Sequence, residues 1–337
     1  MELLLFGAVI AVSGCYAFIN GFHDVSNSVA TAVRTRALLP HIAVVLAAVF
    51  NFVGVLISGA LALLIVERAF NVPTGAAGLG LLLSGLLAAC GWGIYTWWLR
   101  MPSSSTHALL GGLVGADLAA TLLSRPNVTA PDGYLWGQLG IPLLLSPLIA
   151  YAAAYVLVYP ATWISRYTTP SEANRSNRIT QAVLAGVFSL GHGLQNGQRA
   201  IVVVLLAFGA VGLAGGSAYL PVAAHLFVAT LLAVGTLFGG WRITHTLGYR
   251  LVRIDPLRGA IAQGVSSLML FVGALGLHMP LSSTHTMASA IVGAGSNQRF
   301  AAVRWRVALR VLLVWALTAF ASALLGAVFY LAIDPVL

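Results

Sequence analysis

Residues Pro102 to Ala116 read PSSSTHALLGGLVGA, and residues Pro280 to Ala294 read PLSSTHTMASAIVGA, with 8 of 15 positions identical at an offset of 178 in a chain of 337 residues. The chain is therefore two diverged copies of one unit. Each copy places a Ser-Ser-Thr-His cluster after a proline inside an otherwise apolar stretch. Polar groups in such surroundings need a partner, so the clusters are the first candidates for a site.

Outward from these clusters the chain is apolar throughout. Hydrophobic residues make up 59% of it and charged residues 7%, against about 25% charged in a soluble domain. Mean hydropathy is +0.94. Apolar runs of the roughly 20 residues that cross a bilayer recur along the whole length and do not alternate as barrel strands would. The expected fold class is an all-α integral membrane protein of the multi-pass kind, placed in the cell membrane with the lipid bilayer as its partner. All 17 basic residues are arginine, and the formal charge is +9. Most of them lie in short loops, where topology explains them, so nucleic acid is not an expected partner. Cys15 and Cys90 are isolated and lack metal-ligand spacing, and no cofactor is expected. The start, Met-Glu, lacks a basic leader and reads as a retained span.

Ten apolar segments are expected: 3–31, 41–66, 78–99, 104–124, 137–160, 179–211, 218–240, 259–278, 282–298 and 307–333. Residues 1–165 form the first repeat, 166–178 a polar cytoplasmic linker, and 179–337 the second repeat. Corresponding loops carry opposite arginine bias. Arg34 and Arg36 face an uncharged counterpart at 212–219, whereas Glu67 and Arg68 face Arg242, Arg250, Arg253 and Arg258. Since positive loops stay cytoplasmic, the repeats are expected to be inverted. Two re-entrant helical hairpins, 78–124 and 259–298, then enter from opposite faces and meet near the bilayer midplane. Paired interruptions of this kind in inverted halves point to a transporter's binding site. Arg100, beside the first tip, fits at that depth only with an acid or an anion.

The tips offer Ser103, Ser104, Ser105 and Thr106, and Ser282, Ser283 and Thr284. Hydroxyls and freed N–H groups at a helix start form a neutral, donor-rich cradle suited to an oxyanion. His107 and His285 follow each threonine and are expected to make structural hydrogen bonds. A second constellation is GFHDVSNSVAT, residues 21–31. Asp24 lies deep in an apolar segment, which is by default a functional position, and Asn27 shares its helical face. A carboxylate beside amide and carbonyl oxygens is hard-cation ligation, fit for Na⁺ or for a proton. The bland reading is an Asp24–Arg34 pair. At an offset of 172 lies GHGLQNGQRA, residues 191–200, where Asn196 aligns with Asp24 and Arg199 with Asn27. So deep an arginine either pairs with an acid or meets an anion.

The four motifs together resemble the inorganic phosphate transporter (PiT) family, which repeats Gly-x-Asn/His-Asp-x-x-Asn in each half with a Pro-x-Ser-Thr/Ser-Thr-His motif downstream. The resemblance spans nearly the whole chain. It implies a secondary carrier importing inorganic phosphate by symport with Na⁺ or H⁺ through alternating access, and it allows a homodimer. Asp24 and Asn27 would serve the coupling cation, as Na⁺ ligands if sodium is used, with His23 beside them and Asn196 at the matching place. Ser104, Ser105, Thr106, Ser282, Ser283 and Thr284 would cradle phosphate, with Gln198 and Arg199 near them. The second signature here has Asn196 in place of a carboxylate, which favours proton coupling through Asp24 with His23 or His192. The chain also has fewer apolar segments than the family's twelve. The alternative cargo is another tetrahedral oxyanion, sulfate above all. An enzyme is not expected: Thr106-His107 and Thr284-His285 are sequence neighbours, a poor arrangement for a nucleophile and its base, and no nucleophile elbow is present.

Overall fold

A computed structural model describes residues 1–58, 72–126, 140–213, 219–277, 281–298 and 303–337. The expected spans at 59–66 and 137–139, and Pro280 of the second cluster, lie outside these residues. Among the described residues there is no strand, only an isolated bridge between Val252 and Val303.

The first half contributes α1 (Glu2–Arg34), α2 (Pro40–Ile57), α3 (Gly75–Trp98), α4 (Ser105–Leu122) and α5 (Ile141–Ser165). The second contributes α6 (Pro170–Ala210), α7 (Tyr219–Phe238), the short α8 (Trp241–His245), α9 (Pro256–Phe271), α10 (Ser283–Ser296) and α11 (Trp305–Ile333). Helix starts follow local chemistry. Pro40, Pro170 and Pro256 occupy first-turn positions where a missing N–H does no harm. Asp255 accepts the Arg258 N–H at 2.9 Å. Residues 166–178, expected as a linker, are mostly helix: Thr169 caps α6 through a reciprocal bond pair with Glu172, and only the turn before it is irregular. The polarity that suggested a linker is that of a solvated first helical turn.

Among the described residues six helices are long and apolar enough to cross a membrane, and a bent pair, 222–238 with 241–251 at 54°, makes a seventh if it counts as one span. α4 and α10 are the short arms of hairpins. Large apolar side chains are exposed along α2, α5 and α11, as on Leu144, Leu148, Leu309 and Phe320, which suits helices facing acyl chains rather than water.

The packing repeats itself across the two halves. A Cβ on Gly21 would lie 2.0 Å from the Leu232 carbonyl oxygen, and one on Gly193 would lie 2.2 Å from that of Asn51. Gly14 sits against Phe227 and Leu231, while Gly186 sits against Leu46 and Phe50. Gly235 meets the Phe18 carbonyl and Gly54 that of Leu190. In each pair the α1 and α6 members are 172 residues apart and the α2 and α7 members 181 apart. So α1 packs on α7 as α6 packs on α2, each pair running in the same direction. Likewise α4 packs on α11, and α10 on α5.

Substituting Gly21→Ala or Gly193→Ala forces carbonyl and methyl together, and should destabilise by about 1–3 kcal/mol each, the usual range for overpacking. Gly7→Ala, where nothing lies within 4 Å, should be neutral; thermal unfolding of the three detergent-purified variants checks both. The Thr169 bonds pull the Glu172 carboxyl below its ordinary range. Its ionised form therefore stabilises α6 above that ordinary range, and the contribution fades as pH falls through the lowered value. Glu172→Gln should unfold at a lower temperature than the parent at pH 7 and match it once the carboxyl is protonated.

Candidate functional site

The tips of the two hairpins are built alike. Ser104 has φ −92° and ψ 112° and caps α4 by accepting the His107 N–H; Ser282, with φ −83° and ψ 110°, caps α10 by accepting the His285 N–H. The extended cap and its hydroxyl satisfy one of the free donors that every helix start leaves. The following residues, Ser105 and Thr106, Ser283 and Thr284, are thereby fixed on the first turn of each helix.

These turns meet. The His107 and His285 rings stack at 4.8 Å, and His285 lies 4.1 Å from the Trp315 ring. The indole N–H of Trp315 donates to the Pro102 carbonyl at 3.1 Å, so α11 holds the first tip. His107 Nδ1 also lies 2.9 Å from the Ser104 hydroxyl.

Asp24, on α1, is fully buried at the junction. Its Oδ2 accepts from the Ser105 hydroxyl of the first tip at 3.1 Å, and its Oδ1 from the Thr284 hydroxyl of the second at 3.3 Å. His23 Nδ1 lies 2.9 Å from Oδ1, and His192 Nε2, from α6, lies 3.5 Å from Oδ2. A buried carboxylate needs such partners, because an unpaired charge at that depth is costly. Arg34 is not among them; its guanidinium lies over the Tyr249 ring at 4.9 Å. The Asp24–Arg34 pair is thus replaced by a carboxylate shared between two histidines and two hydroxyls.

Asn27 donates from Nδ2 to the Thr284 hydroxyl at 3.0 Å, and its buried Oδ1 has no protein partner. An acceptor left open beside a carboxylate fits a cation or a donor from a bound molecule. Beside the first tip, Asn20, His23, Ser103 and Ser105 help line a cavity of about 20 Å³, room for one water-sized body. On the opposite flank, Gln195 accepts the Leu281 N–H at 3.1 Å and donates to the Leu270 carbonyl at 2.9 Å. Arg199 donates to the Asn196 side-chain oxygen, to Gln195 Oε1 at 3.2 Å and to the Leu281 carbonyl at 2.7 Å. Gln198 is buried, with its Nε2 lacking a partner.

The structure thus brings Asp24, Asn27, His23, Ser105 and Thr284 into direct or shared contact. Ser104 and Ser282 serve as caps, Thr106 and Ser283 are buried next to them, and Asn196 and Arg199 form their own cluster at the second tip. Arg100, expected to need an acid or an anion, is exposed; its backbone N–H donates to the Trp97 carbonyl at 2.9 Å and its carbonyl accepts from the Thr246 hydroxyl at 2.7 Å. The turn presents its side chain outward. Sequence reading missed Asn20, whose amide oxygen is 3.5 Å from the Ser105 hydroxyl; its place one turn before Asp24 was an available signal. It also missed Asn51, which lies 3.0 Å from His192 Nδ1 and donates to Thr236 at 2.9 Å. Thr96, 2.8 Å from Ser103, carries no local signal.

Residues 20–326 match the sequence profile of the phosphate transporter family. A protein of Rhizobium meliloti (strain 1021) named "Probable low-affinity inorganic phosphate transporter" is 37% identical over 336 residues, covering 97% of this chain and 96% of the relative. One of the same name from Bacillus subtilis (strain 168) is 34% identical over 338 residues, with 100% of each chain covered. A solved structure described as "The sodium-dependent phosphate transporter" superposes with a TM-score of 0.80 at 18% identity, covering 99% of this chain and 100% of that one, a likeness of fold. On the profile match and the two full-length relatives, this chain belongs to the phosphate transporter family.

Proposed function

We propose that the chain imports inorganic phosphate across the cell membrane by symport with a cation, Na⁺ or H⁺, through alternating access, and that it is not an enzyme. The observation that carries this reading is the shared carboxylate: one buried Asp24 is held by a hydroxyl from each hairpin tip. A cation bound at Asp24 and Asn27 would neutralise the carboxylate and release Ser105 and Thr284 from it. Those hydroxyls, with Thr106, Ser283 and the N–H groups of both helix starts, would then be free to donate to phosphate oxygens. Coupling follows because each ligand lowers the cost of burying the other's charge, and such coupling is reciprocal. His23 and His192 flank the same carboxylate and would serve a proton in place of Na⁺.

The inverted arrangement is supported by the paired contacts. α1 runs with α7, and α2 with α6, so if successive helices in each half cross in opposite senses, the first helices of the two halves point opposite ways. Two halves that pack through glycine-lined contacts of one design suit a rocking of one unit against the other. Phosphate is favoured over sulfate because a protonated phosphate oxygen can donate to a carboxylate acceptor such as Asp24, whereas sulfate has no proton to offer.

Asp24→Asn keeps the shape and removes the charge, so labelled phosphate uptake into vesicles should fall about 10–100-fold, the range for losing charged hydrogen bonds, and lose its cation dependence. Uptake at the parental rate and with the parental ion requirement would refute the coupling role. In competition assays arsenate should inhibit labelled phosphate uptake and sulfate should not; equal inhibition by sulfate would favour the broader oxyanion cargo.

A further inference from the structure

The two halves share a backbone plan, but their charges differ in sign. Where the first half has Asp24 and Asn27, the second has Asn196 and Arg199, each 172 residues on. The matching residues also handle the tips alike. His23 Nε2 lies 3.5 Å from the Ser103 hydroxyl at the first tip, and Gln195, its counterpart, binds the Leu281 N–H at the equivalent place on the second.

Into this second position the chain folds its own cation. The Arg199 guanidinium is met by three oxygens: the Asn196 amide, Gln195 Oε1 at 3.2 Å and the Leu281 backbone carbonyl at 2.7 Å. Amide and carbonyl oxygens converging from a helix and an adjacent irregular segment are the ligands that a hard monovalent ion would take. All three are uncharged, so they orient the guanidinium without cancelling its charge. Arg199 Nε is moreover buried with no partner, which leaves donor capacity over.

We propose that Arg199 is a tethered cation, which permanently occupies in the second half the place that a mobile cation takes at Asp24 and Asn27 in the first. The inference rests on the transport reading above and fixes its stoichiometry. With Asp24 and Arg199 opposed, the empty site carries no net charge. Adding one cation and one singly charged phosphate, H₂PO₄⁻, leaves it neutral again, so the empty and the loaded carrier both reorient without moving net charge through the membrane. A second acid without the arginine would instead demand a further cation per cycle.

The test uses the full-length chain in liposomes, with labelled phosphate, a Na⁺ or pH gradient, and a membrane potential clamped by K⁺ and valinomycin. Whichever cation drives wild-type uptake should act with a Hill coefficient of about 1, and accumulation should be insensitive to potential, whereas each net charge moved would change the accumulation ratio about 50-fold per ~100 mV. The double variant Asn196→Asp with Arg199→Asn rebuilds the first half's pair. It should acquire a second cation, with a Hill coefficient near 2 and the ~50-fold response to potential. Arg199→Lys should keep the insensitivity. A wild-type protein whose accumulation follows the potential, or a double variant that transports with unchanged stoichiometry, overturns the proposal. If the double variant does not insert, the wild type and Arg199→Lys decide alone. Absence of any phosphate uptake by the wild type overturns the transport reading and this inference with it, an outcome distinct from uptake of the wrong stoichiometry.

Discussion

A single carboxylate in an apolar bundle organises this protein. Asp24 is shielded from solvent; it is stabilised by hydroxyls that arrive from two different hairpins and by a histidine on either side. Burial makes each of those contacts matter more than it would in water, because the cost of an unpaired charge rises as the surroundings lose polarity. The carboxylate therefore ties together α1, α4, α6 and α10. Any ligand that competes for it must loosen those ties, which on the proposed reading is how cation binding prepares the cradle for phosphate.

The frame around this contact is symmetric, although its chemistry is not. Glycines at matching positions let α1 approach α7, and α6 approach α2, until backbone meets backbone carbonyl. Both tips use a serine cap of nearly the same dihedral angles. Against that common frame Asp24 faces Asn196, Asn27 faces Arg199, His23 faces Gln195 and Asn20 faces His192. At matching positions of the two halves one tip has a negative side chain beside it, Asp24, and the other a positive one, Arg199. Beside the carboxylate an acceptor stays open at Asn27, whereas at the second tip the oxygens of Gln195, Asn196 and Leu281 are engaged by the Arg199 guanidinium.

Much of this was legible before any fold was known, for definite reasons. A Ser-Ser-Thr-His cluster repeated at a fixed offset cannot be packing residue by residue, and an aspartate deep in an apolar run demands a partner. The signature around Asp24 and the two clusters were enough to anticipate that they converge. Local chemistry also misled. Proline, glutamate and asparagines at 170–178 read as a linker but form the capped start of a 41-residue helix, because polar first turns and polar loops share a composition. Arg100 suggested a buried charge, but the turn directs it outward.

The sequence by itself determined that the chain spans a membrane as a helical, duplicated protein, since hydropathy and internal repetition are properties of the linear order. It also marked Asp24, Asn27 and the two hydroxyl clusters, because polar groups in apolar runs stand out locally. Which groups share the carboxylate was decided only by tertiary structure: Ser105 and Thr284 lie 81 and 260 residues from Asp24. His192 on Asn51, Trp315 on Pro102 and Arg199 on Leu281 are likewise contacts between distant segments. Helix packing sets such distances, and no local pattern along the chain encodes them.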